Sequence, residues 1–245
     1  MKILILGGTA EAAGLADQLS GEAKHEVMTS LAGRTRAPRA VAGGLRVGGF
    51  GGAAAMADYL REQAFEALID ATHPFAVQIS ANAASACAAA KVARLQLCRP
   101  AWQPTTEDNW IEVADGPAAA AAIRQGEFSS VFLATGRQEL PAFAAMPGVH
   151  FLVRLVDAPD QALALDDYEV VTGRGPFVET EESELLKREG IDVIVAKNAG
   201  GVGSWPKMAA ARRLGIPIIM IRRAALPDDS YVENVEAVRR WVDGL

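Results

Sequence analysis

The residues Lys2-Ile3-Leu4-Ile5-Leu6-Gly7-Gly8-Thr9-Ala10-Glu11-Ala12 join an apolar run, two glycines and an Ala-rich segment without interruption. The run shows no polar alternation, as expected of a strand covered on both faces. Glycines let the backbone approach a ligand closely, and free N–H groups where a helix begins face an anion. Strand, glycine turn and helix start therefore predict a phosphate site carried by Gly7, Gly8, Thr9 and Glu11. The pattern is G-G-T-x-E, short of the full G-x-G-x-x-G fingerprint. Two glycines also serve a purely steric turn, so this stretch alone leaves both roles open.

Outward from this stretch, short apolar runs alternate with helix-forming segments. Strands are predicted over 2–6, 26–30, 45–47, 67–70, 94–98, 110–113, 130–134, 150–155, 168–171, 192–196 and 216–221. Helices are predicted near 10–20, 53–64, 76–91, 117–124, 179–189 and 206–214. Strand–helix–strand repetition implies parallel sheets with right-handed crossovers. About eleven strands suit two sheets better than one. Pro100 and Pro104 interrupt both periodicities, which puts the boundary near them. The expectation is an α/β protein of two Rossmann-like lobes, 1–99 and 100–245, with parallel β-sheets flanked by helices.

Composition excludes several classes. The chain has 245 residues, half of them apolar, and a formal net charge of -6. A chain of this length buries roughly 70–75% of its unfolded surface without a staple. Charged residues at 22% argue against disorder. The acidic balance argues against a general nucleic-acid surface, leaving room for a local basic pocket. Cys87 and Cys98 do not by themselves make a Cys-based zinc site, and no metal site is expected. No apolar run approaches the ~20 residues of a membrane span. Residues 1–8 carry no cleavage signature and too short an apolar region for a signal peptide, so a cytoplasmic location is expected.

The end of the second strand sharpens the nucleotide reading. An NAD site usually has an Asp or Glu about 20 residues beyond the glycines, on the ribose 2′-OH. Here Met28-Thr29-Ser30-Leu31-Ala32-Gly33-Arg34-Thr35-Arg36 contains no acid. Ser30, Arg34 and Thr35 offer a hydroxyl, a guanidinium fork and a second hydroxyl, a fit for a 2′-phosphate. NADPH is thus expected over NADH, with an ordinary solvated basic loop as the alternative. Gly49, in Gly48-Gly49-Phe50-Gly51-Gly52, either passes beside the dinucleotide or belongs to a flexible turn. The fourth strand ends in Asp70-Ala71-Thr72-His73-Pro74-Phe75-Ala76, at an edge that borders the cofactor crevice. Thr72 contacts the cofactor or caps the next helix. His73 is the candidate proton donor, with a structural role as the competing reading.

Six segments in collinear order, G-G-T-x-E (7–11), S-L-A-G-R-T (30–35), D-A-T-H-P-F-A (70–76), A-T-G-R (134–137), G-R-G-P-F (173–177) and A-K-N-A-G-G-V-G-x-x-x-K (196–207), cover nearly the whole chain. Together they resemble the precorrin-6A reductases of cobalamin biosynthesis, a family that includes cobalt-precorrin-6A reductases. The resemblance implies NADPH-dependent reduction of one carbon–carbon double bond of the precorrin-6A macrocycle, giving precorrin-6B. It also implies two Rossmann-like lobes, NADP in the first and the tetrapyrrole between them. The pattern departs at Ala196 and Ala199, where a hydroxyl residue beside Lys197-Asn198 is expected.

Precorrins are ringed by acetate and propionate groups, so a chain of net charge -6 must concentrate positive charge locally. Arg137, Arg174 and Lys197 each follow or end a predicted strand, the edge where ligands bind. With Gly200, Gly201, Gly203 and Lys207 they are the expected substrate-binding residues, each cation alone being equally readable as surface charge. No catalytic triad, metal cluster or covalent nucleophile is evident, which hydride transfer tolerates because the cofactor carries the chemistry. A non-catalytic NADP-sensing module and another NADP-dependent reductase on the same scaffold stand as the alternatives.

Overall fold

In the computed structural model, which describes residues 1–33, 35–36, 40–225 and 231–245, the chain divides into two compact units. Met1–Pro100 contributes β1 (Lys2–Leu6), α1 (Ala10–Ser20), β2 (Glu26–Leu31), β3 (Gly44–Val47), α2 (Ala53–Glu62), β4 (Ala67–Asp70), α3 (Val77–Ala90) and β5 (Ala93–Leu97). Ala101–Arg223 forms the second unit. It contains β6 (Trp110–Val113), α4 (Gly116–Gln125), β7 (Ser130–Ala134), β8 (His150–Leu155) and β9 (Tyr168–Thr172). It continues with α5 (Glu179–Arg188), β10 (Val193–Lys197), α6 (Pro206–Leu214) and β11 (Ile218–Ile221). The chain then returns to the first unit with β12 (Tyr231–Val232) and α7 (Val235–Asp243).

Burial on both faces explains why the first strand shows no alternation. Side chains of a strand point to opposite faces in turn. Ile3 and Ile5 pack with Leu15 and Leu19 of α1 and with Val238 and Val242 of α7. Leu4 and Leu6 pack on the other face with Met56 and Leu60 of α2 and Cys87 of α3. Burying each large apolar side chain contributes about 1.5–3 kcal/mol. In the second unit, Phe132, Ile194 and Met220 pack against Leu185 and Leu186 of α5 and Met208 of α6.

The first sheet has the order β12-β5-β4-β1-β2-β3 and the second β6-β11-β10-β7-β8-β9. All pairings are parallel. The first is the doubly wound order 3-2-1-4-5-6, and the second has the same arrangement in space with its last place held by the first strand of the unit. The sixth place is taken in the first sheet by β12, which returns from beyond the second unit, and in the second sheet by β6, the first strand of its own unit. β6 follows β5 yet completes the second sheet, and β12 follows β11 yet completes the first.

The expected division at 99/100 lies beside the observed Pro100–Ala101 junction, but the tail differs. Residues 224–245, expected in the second lobe, belong to the first unit. Among the described residues of this segment only Tyr231 and Val232 pair, with Gln96 and Leu97, too few to leave a period in the sequence. The segment is held by the Cys98 N–H, which donates to Val232 O at 2.8 Å, and by α7. That helix is capped by Asn234 Oδ1, which accepts from the Ala237 N–H at 2.9 Å. After β7 the chain makes a 3₁₀ helix, Arg137–Phe143. Pro141 inside it has no N–H to continue an α-helical ladder.

Candidate functional site

At the carboxyl edge of the first sheet, the β1–α1 turn is built around Gly8, whose φ is +113°. The Gly7 N–H donates to Ser30 O at 2.9 Å, tying the turn to β2. Thr9 Oγ1 accepts from the Ala12 N–H at 3.1 Å and donates to Ala71 O at 2.8 Å. Its side chain therefore holds the turn against the end of β4, and its backbone N–H is what remains for a ligand. The N–H groups of Gly8, Thr9, Ala10 and Glu11 have no acceptor among the described residues. That is the donor set a pyrophosphate takes at a helix amino terminus. A Cβ at Gly8 would meet nothing within 4 Å, so open space lies beside these donors.

Thr9, Glu11 and Thr72 converge on one small cleft with Pro74, Leu97 and Arg99. A carboxylate here would repel a phosphate, but Arg99 Nη1 sits 2.7 Å from Glu11 Oε2 and compensates it. Arg99 lies in the stretch that reads as a linker, which is why the sequence did not single it out. Thr72 does not cap α3, whose N-cap is Ala76. Its N–H and hydroxyl instead donate to Asp70 Oδ1, at 3.2 and 2.7 Å. Asp70 is fully buried, and its Oδ2 has no hydrogen-bond partner among the described residues. His73 Nδ1 accepts from the Phe75 N–H at 3.3 Å, which leaves the proton of the neutral ring on Nε2.

Of the expected 2′-phosphate residues, Arg34 lies outside the described residues. Ser30 is 6% exposed, and its Oγ accepts from Arg46 Nη1 at 3.3 Å. Thr35 is half-buried. Gly49 O accepts from Arg46 Nη2 at 2.9 Å, so the glycine stretch after β3 is bound to a guanidinium rather than loose.

In the second unit, three loops at strand carboxyl ends carry the expected substrate residues. Arg137 is exposed, and its Nη2 donates to Asp157 O and Ala158 O, each at 3.0 Å. Arg174 is exposed and has no hydrogen bond or ion pair among the described residues. Its loop is anchored by Phe177, whose ring lies 4.3 Å from the Arg154 guanidinium and whose N–H donates to Gly203 O at 3.3 Å. That bond brings the Arg174 loop against the 200–203 loop. Gly200 and Gly201 have φ of +67° and +79°, and Gly201 O accepts from the Trp102 indole at 3.0 Å. Asn198 holds Trp102 from both sides, accepting its N–H at 2.8 Å and donating to its O at 2.9 Å. The pairing of Trp102 with Asn198 is not visible in the sequence, because it joins positions 96 residues apart. Lys197 Nζ lies 3.7 Å from Glu139 Oε1.

Lys207 departs from its expected role. It is 6% exposed, and its ammonium donates to Ser204 O at 2.8 Å and lies 5.5 Å from the Trp102 ring. It anchors the loop from beneath rather than offering a cation to solvent. Burial pulls its pKa down from 10.5 to about 8, with Glu182 opposing the fall and Arg154 adding to it. Between pH 8 and 10.5 the unfolded chain keeps a proton that the folded chain has released, so stability rises with pH across that window. A fall of that size corresponds to about 3 kcal/mol. Lys207→Met keeps the stem and deletes the charge. It should be more stable than wild type below pH 8 and lose this advantage as the pH rises to 10.5. Urea midpoints measured across that range check this; an advantage that does not change with pH would contradict it.

The profile of the family described as "Precorrin-6x reductase CbiJ/CobK" matches residues 2–243. The chain belongs to this precorrin-6x reductase family. Among its relatives is the precorrin-6A reductase of Rhodobacter capsulatus, 46% identical over 98% of this chain and 95% of that protein. The precorrin-6A reductase of Rhodococcus erythropolis is 42% identical over 100% of this chain and 98% of that one. The cobalt-precorrin-6A reductase of Salmonella typhimurium is 27% identical over 98% and 96%. A solved structure named "CobK precorrin-6A reductase" superposes with a TM-score of 0.94 at 46% identity, covering 99% of this chain and 96% of that one. The expected family and the two-sheet α/β fold are thereby established, and with them a reductase. Among the described residues, no helix is long and apolar enough to cross a membrane.

Proposed function

We propose that this reductase uses NADPH to reduce one carbon–carbon double bond of the precorrin-6A macrocycle, giving precorrin-6B. The observation that carries the nucleotide assignment is the carboxyl edge of the first sheet. Four N–H groups without acceptors among the described residues meet there, beside a β2 end that has hydroxyls and no carboxylate. When bound, NADPH supplies the hydride equivalent. Gly8, Thr9 and the first turn of α1 hold its pyrophosphate; Ser30 and Thr35 border the ribose. Glu11 holds Arg99 in the cleft, and Thr72 is fixed by Asp70. In the second unit, Arg137, Arg174 and Lys197, with the glycine loop 200–203, hold the substrate carboxylates. His73 is the proton donor in this reading: as the imidazolium it gives up one ring proton and returns to the neutral form whose Nδ1 accepts from the Phe75 N–H.

Mixing the protein with precorrin-6A and NADPH should remove the reduced-nicotinamide absorbance. His73→Gln should turn over at least about a hundredfold more slowly, the range of a general acid, with NADPH affinity unchanged. Binding of both ligands without absorbance loss would favour a sensing module over an enzyme. Wild-type turnover in His73→Gln would remove that residue from the reaction.

A further inference from the structure

Between Glu26 and Asp58 the chain carries no carboxylate, while arginines stand at 34, 36, 39 and 46. In a chain of net charge -6 this is a strong local reversal of sign. Arg34 and Arg39 lie outside the described residues, and Arg36 is exposed. Arg46 is different. It sits in β3 directly opposite Ser30 of β2 in the parallel register, one strand away from the glycine turn.

Its guanidinium is held on every side the described residues offer. Nη1 donates to Ser30 Oγ at 3.3 Å and to Gly48 O at 2.5 Å, and Nη2 donates to Gly49 O at 2.9 Å. The planar group lies 3.9 Å from the centroid of the Phe50 ring and 5.2 Å from that of Tyr59. Those two rings pack edge to face at 5.5 Å, so the stacking surface is itself fixed. Three of the five guanidinium N–H groups are thus used, and Nε–H and one Nη2–H have no acceptor among the described residues. Two donors are what a bidentate phosphate contact takes. Ser30 Oγ, accepting from Arg46, keeps its own hydrogen for a third bond. A guanidinium already immobilised loses little side-chain entropy on binding, which favours it over an arginine on a solvated loop. The nearby carbonyl oxygens of Gly48 and Gly49 rule out neither role: they fix the fork, and they carry no net charge to cancel its own.

We propose that Arg46, paired with Ser30, recognises the 2′-phosphate and makes the site selective for NADPH over NADH. This rests on the nucleotide reading above and assigns its specificity to a residue that the sequence pattern around Arg34 does not contain.

The test is titration of wild-type protein and of Arg46→Met with NADPH and with NADH. Met keeps an apolar side chain of similar reach and deletes the fork that stacks on Phe50. NADPH affinity should fall about ten- to a hundredfold, the range for a lost charge-assisted contact. NADH affinity should change less than about threefold, because its ribose presents no phosphate to a charged donor. Arg46→Gln, whose amide can still donate to a glycine carbonyl, should give the same split and serves if Arg46→Met does not fold. If wild type prefers NADPH and both variants keep that preference, Arg46 does not read the phosphate. If both nucleotides weaken equally, Arg46 acts on the shared adenosine or on the loop, and the proposal fails. If wild type binds NADH as tightly as NADPH, the nucleotide reading itself falls, and this role with it.

Discussion

Gly8→Val should abolish NADPH binding while leaving the protein folded. Gly8 has a φ of +113°, a conformation that a β-branched residue reaches only under strain, at about 1–3 kcal/mol. That cost is tolerable for a domain of ordinary stability, and a Cβ at this position meets no protein atom within 4 Å. The core therefore has no reason to reject the variant. The added side chain occupies the open space beside the N–H groups of Gly8 to Glu11, the place proposed for the pyrophosphate. Loss of the several charge-assisted bonds made there exceeds one such bond of about 1.5–3 kcal/mol, so affinity should drop more than about a hundredfold. Circular dichroism and nucleotide titration together decide it. A folded variant with wild-type NADPH affinity would remove the β1–α1 turn from the site.

The second large effect is expected at Lys197. Its ammonium is 3.7 Å from Glu139, and its side chain is 16% exposed at the end of β10. Lys197→Met retains most of the stem, so packing should survive. Two charges then act against an anionic substrate: the cation is gone, and Glu139 is left uncompensated. The substrate KM should rise about ten- to a hundredfold, as for one lost charge-assisted contact. NADPH affinity should stay unchanged, since Lys197 belongs to the second unit and the glycine turn to the first. Adding Glu139→Gln to Lys197→Met should recover part of the loss. High salt should weaken substrate binding more in wild type than in Lys197→Met. If Lys197→Met leaves KM intact and abolishes NADPH binding, the roles of the two units are reversed.

Much of this molecule is legible in its sequence because its central strands are buried on both faces. Runs such as Ile3-Leu4-Ile5-Leu6 and Ile218-Ile219-Met220-Ile221 have no solvent side to blur them, and glycine or proline marks their ends. The glycine turn is legible for a related reason: a positive φ at Gly8 and bare helix-start N–H groups demand that composition. What stays hidden depends on tertiary pairing. Tyr231 and Val232 become a strand only because the edge of β5 is there to receive them. Arg46 reads as an ordinary polar residue of a short strand until its register against Ser30 is known. Lys207 and Arg137 look alike as cations after strands, yet one is buried under Trp102 and the other exposed. Sequence carries the residue type, and only packing decides which way its charge points.

Transfer of hydrogen from nicotinamide to macrocycle is the defining event of the proposed reaction. Wild-type protein is incubated with precorrin-6A and NADPH deuterated at both nicotinamide C4 positions, and the tetrapyrrole is analysed by mass spectrometry. The product should carry a single deuterium on carbon, retained after exchange into ordinary water, and be absent when NADPH is omitted. Unchanged precorrin-6A, or a reduced product free of deuterium, would contradict it.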